Sequence, residues 1–139
     1  MIQEDKKILI KDLCARLPYG VICEGKYSDA EYDIDGGIEM FDVRGVLEAI
    51  FIDEMIIISY NCDIETVKPY LRPMSSMTEK EDKEYRNIDN RSYSCPINYA
   101  HIPASDRIDW LNAHHFDYRG LIEKGLAIAV TEENNPYKS

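Results

Sequence analysis

The sequence predicts an α+β fold: an N-terminal helix, about five strands in an antiparallel meander or small, partly open barrel, and a helical C-terminal part. Three observations lead there. Apolar residues near the start recur at helical spacing. Between Val21 and Tyr60 the period drops to two, with many β-branched residues. Beyond Pro73 come capping signals and Gly-terminated apolar runs. At 139 residues the chain is read as a single domain over 1–139, with 1–71 holding the helix and strands and 72–139 the capped polar helix and C-terminal helices.

Residues 3–17 place Ile10, Leu13, Cys14 and Leu17 on one side, with Leu9 at its margin, and Lys6, Lys7 and Lys11 on the other. Pro18 and Gly20 end this helix. Val21–Cys23 reads as a short strand. Asp29, Glu31, Asp33 and Asp35 alternate with Ala30, Tyr32 and Ile34, a strand with an acidic wet face. Gly36-Gly37 suits a tight turn into a strand over Ile38–Val43. Val46–Ile52 and Met55–Tyr60 read as two more strands, joined at Asp53-Glu54.

Asp63–Leu71 reads as a helical turn ending before Pro73. Thr78 and Glu81 form a capping box, opening a helix over about 79–87 with Glu79–Lys83 and Asp82–Arg86 pairs. This helix is polar nearly all round, hence expected to be exposed and weakly attached. Asn87–Ala100 reads as loop. Ser105 or Asp106 caps a helix to about His115, Asp117 a second short one, and Gly125 closes it. Leu126–Val130 fits a closing strand, and TEENNPYKS a polar tail.

Net charge is −10, and Ser28–Thr66 carries all of it: eleven acids against one base, Arg44. The remaining fifteen acids and fifteen bases cancel. Such a field repels nucleic acid and anionic lipid and attracts a basic protein partner or cations, while keeping a strand-rich surface soluble is the alternative reading of the same acids. Direct nucleic-acid binding is not expected. No apolar run is long enough to span a membrane and the start is no secretory signal, which points to the cytoplasm. Cys14, Cys23, Cys62 and Cys95 lack zinc-site spacing and read as small buried hydrophobes in a reducing compartment.

The densest chemistry lies in DWLNAHHFDYRGLIEKGLA, residues 109–127. Ile108, Leu111, Phe116, Leu121, Ile122 and Leu126 suit a core, with His114 and His115 closing a helix end. Trp110, Tyr118 and Arg119 are types enriched in binding hot spots, so a protein-binding face on Trp110, His114, Tyr118 and Arg119 is the functional candidate. The acidic face of Asp29, Glu31, Asp33 and Asp35 is the second. Adjacent histidines point about 100° apart on a helix and cannot chelate one metal as neighbours. A metal-dependent protein or enzyme using His101, His114 or His115, with Cys95 as a further zinc ligand, is the alternative. EYDIDGGIEMFD, residues 31–42, approaches a calcium loop, but Glu stands first, Asp twelfth, and strands flank it. A hairpin with an acidic face explains the same residues without metal. Phosphate-loop, dinucleotide, serine-hydrolase and zinc-protease motifs are absent from the sequence. The expectation is therefore no catalytic residues, no resident metal and no cofactor.

The segments DLCARLPYGVI, VKPYLRPMSSMTEKE and DWLNAHHFDYRGLIEKGLA resemble those of a family of small bacterial proteins of unknown function, some encoded in prophages or other mobile elements. The likeness covers under half the chain. It implies a bacterial or phage cytosolic context and carries over no mechanism.

Overall fold

A computed structural model of the chain describes residues 2–28, 40–51, 54–93 and 102–138. The fold is α+β. Helix α1, Gln3–Arg16, carries Glu4 and Asp5 in its first turn and Arg16 in its last, matching the helix dipole at both ends. Its buried positions are Leu9, Asp12, Leu13 and Arg16. The face is thus rotated from the expected one: Leu9 is fully buried, whereas Cys14 is exposed. A 3-10 turn at Leu17–Tyr19 and a left-handed Gly20 end the helix.

Strand β1, Ile22–Ser28, pairs antiparallel with β2, Met40–Ile50, from Ile22↔Val46 to Ser28↔Met40. The expected strands at 38–43 and 46–52 are therefore one continuous element where they are described. Strand β3, Glu54–Ile57, pairs with β2 across a bulge that leaves Glu48 as the extra residue. Strand β4, Tyr60–Asp63, follows after only two residues. The expected strand at Met55–Tyr60 is thus broken, because Ile58 and Ser59 both have positive φ (38° and 73°) and reverse the chain. A β-branched residue there is strained. Its side chain covers Gly45, where a Cβ would lie 2.6 Å from Ile58 Cγ2. Glu54 belongs to β3 rather than to a turn. The acidic stretch, the Gly36-Gly37 turn and Asp53 fall outside the described residues.

The 3-10 turn at Ile64–Thr66 is capped by Asp63, whose Oδ1 accepts from the Glu65 amide at 2.9 Å. This is the helical turn expected within Asp63–Leu71, and the rest of that stretch, Lys68–Leu71, is a strand, β5, antiparallel to β1. The last strand, β6, Ile128–Ala129, is parallel to β5. Among the described residues the sheet is six-stranded, mixed and open, in the order β4-β3-β2-β1-β5-β6. It curls strongly: a Cβ on Gly25 of β1 would lie 3.0 Å from Ile57 Cδ1 of β3 and 3.1 Å from Cys62 Sγ of β4. The Thr66 hydroxyl accepts from the Lys26 amide (3.1 Å) and donates to the Asp63 carbonyl (2.8 Å), satisfying β1 where its pairing with β5 stops.

Leu9 and Leu13 of α1 share one core cluster with Val21, Leu47, Ile57 and Leu71. Each such side chain stabilises the fold by roughly 1.5–3 kcal/mol. Cys23 and Cys62 are buried here as expected. Helix α2, Glu79–Tyr93, opens on the capping box: Glu81 N–H donates to Thr78 Oγ1 (3.1 Å) and Thr78 N–H to Glu81 Oε1 (3.0 Å). It runs past the expected 87, and Asp82 pairs with Arg86 at 3.0 Å. Helix α3, Ile102–Ala113, starts before the expected cap and ends two residues sooner. No helix of the described residues is long and apolar enough to cross a membrane.

The expected second helix after Asp117 is a series of turns. Asp117 still caps them, its two carboxylate oxygens accepting from the amides of Leu121 (2.9 Å) and Ile122 (3.0 Å). Gly125 closes them with φ 74°.

One buried ion pair ties these parts together. Arg16 Nε donates to Asp12 Oδ2 at 2.7 Å, and both side chains are fully buried. Arg16 Nη2 donates to the Phe116 carbonyl (2.6 Å), and Arg119 Nε to Asp12 Oδ1 (3.2 Å). Removing one partner strands a buried charge. Asp12→Ala should therefore lose about 3–5 kcal/mol of stability in urea unfolding, and Asp12→Leu/Arg16→Met should lose distinctly less.

Candidate functional site

The end of α3 shows why the two histidines sit where they do. Phe116 N–H donates to Leu111 O at 2.9 Å and His115 N–H to Asn112 O at 3.1 Å. That is the Schellman arrangement, and His115 fills its left-handed position with φ 63°, a place glycine usually takes. His114, the cap itself, bonds Trp110 O through both its amide (3.0 Å) and its Nδ1 (2.9 Å). The Nδ1 contact makes this nitrogen the donor. The histidines therefore close a helix end, as the sequence suggests.

His115 is held from outside by the C-terminal segment. Its ring stacks on Tyr137 at 3.7 Å and 8°. The Tyr137 hydroxyl donates to Tyr70 O (2.6 Å) and accepts from Ile22 N–H (3.0 Å), bridging β5 and β1. The expected polar tail is thus a strap with a buried anchor. Burial raises the Tyr137 phenol above the ordinary tyrosine range. His115 Nδ1 is buried and has no hydrogen-bond partner among the described residues. His114, His115 and Tyr137 line a cleft of about 690 Å³ with Arg72, Glu132 and Lys138. Among the described residues no carboxylate is hydrogen-bonded to either imidazole, so nothing there activates them as a catalytic base.

Trp110 is the centre of an aromatic cluster. It stacks on His114 (3.9 Å) and Phe116 (5.7 Å) and meets Tyr85 of α2 at 5.6 Å. Arg72 lies 4.1 Å over the Phe116 ring and grips Glu81 with two bonds of 2.7 Å. Those bonds from Arg72, aided by the Thr78 amide against the opposing effect of burial, hold the Glu81 carboxyl down to about 2. Helix α2 docks through Tyr85 and buried Ile88, the apolar exceptions in its polar pattern, and Glu81 attaches it more firmly than that pattern suggests. Neither Arg72 nor Tyr137 carries a local signal: their partners are distant in sequence.

Tyr118 and Arg119 belong to the buried network rather than to an open face. Tyr118 OH donates to Asn112 Oδ1 (2.8 Å), and Arg119 reaches Asp12. Leu111, Phe116, Leu121 and Leu126 are core as expected, while Ile108 is 37% exposed. Asp29, Glu31, Asp33, Asp35, Cys95, His101 and the calcium-like loop save Met40, Phe41 and Asp42 lie outside the described residues. Among the described residues no group of three or more His, Cys, Asp or Glu side chains is placed to hold a metal.

On the sheet, the described acids face outward. Glu54 and Asp63 lie directly opposite each other on β3 and β4, beside Phe51, which is 59% exposed. Glu48 at the bulge is exposed as well. Arg44 turns away, 4.9 Å over the Tyr70 ring and 3.4 Å from Asn134 Oδ1. No family model, curated protein or solved structure matches the chain.

Burial above all, then the charges of Arg16, His114 and Arg72, lower the His115 imidazole to about 4. An unfolded histidine takes its proton near 6.5. Between those values the unfolded chain binds more protons, so stability is full above pH 6.5 and falls as pH drops toward 4. After allowance for partial exposure the loss should be about 1–2 kcal/mol. Urea unfolding at several pH values measures it. His115→Asn, which tolerates the left-handed backbone, should remove this component of the pH dependence.

Proposed function

We propose that the chain is a non-enzymatic interaction module that binds a basic protein partner through the outer face of β2–β4. The observation that carries this reading is the Glu54–Asp63 pair, set opposite each other across two strands with no basic side chain paired to either among the described residues. Like charges so placed repel each other and cost folded stability. A cation laid between them relieves that cost. Phe51 and Val46, 59% and 42% exposed, add an apolar component that a basic amphipathic segment would cover. The sole base of the Ser28–Thr66 region, Arg44, contacts Tyr70 and Asn134, and Lys26 of β1 lies 3.9 Å from Asp42, away from Glu54 and Asp63 in the strand register.

The acids at 29–35 would extend this surface. The same charge argues against direct nucleic-acid binding. In this reading the protein works in the cytoplasm of a bacterium, in the phage or mobile-element context that the three quoted segments imply.

A short lysine–leucine peptide should bind with modest affinity, weakening roughly tenfold between about 50 and 300 mM salt. Glu48→Lys/Glu54→Lys, which spares the capping Asp63, should abolish binding in isothermal titration while leaving the melting temperature at or above its original value. Affinity unchanged by this double reversal would refute the assignment.

A further inference from the structure

A second acid-lined feature lies away from the sheet, where the end of α1 meets α2 and α3. A cavity of about 410 Å³ is lined by Tyr19, Ile88, Asp106, Asp109, Trp110 and Ala113. Its described lining holds two carboxylates, two aromatic rings, an apolar floor and no base. Both aspartates are exposed at the rim. The Tyr19 ring and the Asp109 carboxylate line it side by side. Of the nearby cations, Arg107 lies 5.0 Å over the Tyr85 ring, and Arg72 is gripped by Glu81.

From this charge complementarity we infer that the Trp110 cavity receives an arginine side chain of a partner protein, its aliphatic stem on Ile88 and Ala113 and its guanidinium between Asp106 and Asp109. The inference rests on the reading of the chain as a binder of basic partners, and adds a second, separate anchor to it. Arginine suits the site better than lysine. Its planar fork can bond carboxylates with two donors each, and it packs against aromatic rings with less loss of hydration. Tyr85, in contact with Trp110, lines a further cavity of about 380 Å³ with Met74, Met77, Glu79 and Asp82. That cavity again combines apolar side chains with carboxylates, so a partner carrying two basic residues could engage both.

The chain has a single tryptophan, and it lines the cavity. Its fluorescence therefore reports occupancy directly. Capped tripeptides of Gly-Arg-Gly and of the uncharged isostere Gly-citrulline-Gly are titrated into the full chain. The arginine peptide should shift Trp110 emission saturably, with the citrulline peptide at least about fivefold weaker. Asp106→Asn/Asp109→Asn should lower arginine affinity by a similar factor, while Glu48→Lys/Glu54→Lys leaves the emission response in place. Equal responses to the two peptides, or an unchanged response in Asp106→Asn/Asp109→Asn, overturn the inference. If lysine–leucine binding still disappears in Glu48→Lys/Glu54→Lys, those results sink this anchor alone and leave the sheet reading standing. The peptide comparison needs no variant, so it decides the question even where a substitution impairs folding.

Discussion

Arg16 is a full charge with no water around it, and the rest of the structure is arranged to tolerate that. Taking a guanidinium and a carboxylate out of water costs several kcal/mol per ion even after relaxation. The Asp12 contact at 2.7 Å offsets part of this. The remainder depends on groups from the far end of the chain: the Phe116 carbonyl on Arg16 and the Arg119 guanidinium on Asp12. One guanidinium nitrogen of Arg16, Nη1, still has no hydrogen-bond partner among the described residues. The network therefore adds little net stability over an apolar core. Its effect is positional, because α1 cannot dock on the sheet unless residues 116–119 arrive in one particular place.

That placement propagates. With Phe116 fixed, the backbone of Arg72 is caught on both sides, its N–H on His115 O (2.7 Å) and its carbonyl by Asp117 N–H (2.8 Å). The Arg72 side chain then stacks on Phe116 and holds Glu81, which both caps α2 and anchors it. Tyr137 closes the other side by stacking on His115. The cationic side chains nearest the core are consumed in this work: Arg16, Arg72 and Arg119 all point at internal partners.

Much of this was legible in local signals. The helix break at Pro18, the capping box at Thr78 and the helix end at the histidines each depend on residues a few positions apart, and each stands where the sequence puts it. Strand β5 was hidden because Pro69 reads as a breaker and because its stability comes from β1 and β6, not from its own pattern. The turn at Ile58-Ser59 lacks the glycine or asparagine that would announce it. Asp12 and Arg16 stand at helical spacing, but charge assigns them outward until residues a hundred positions away are brought alongside. Trp110 lines a cavity, as a binding residue would, whereas Tyr118 and Arg119 do not stand free. The side-chain types that make strong anchors between proteins make equally strong anchors within one.

The two acid-bearing surfaces share a physical logic that differs from simple solubility. Solubilising charges work best interspersed with opposite charges and free to move in water. Glu54 and Asp63 are instead held opposite each other by a strand register, and Asp106 and Asp109 share the lining of one cavity. Fixing a carboxylate in advance removes part of the side-chain entropy that association otherwise costs, of order 0.5–1.5 kcal/mol for each immobilised side chain. Holding two of them close raises the energy of the free protein by their repulsion, and a cation recovers that energy on binding. Both effects weaken the isolated fold slightly and strengthen its complex. A surface whose charges were merely decorative would gain neither, so under the proposed reading rigid placement counts for more than the total of −10.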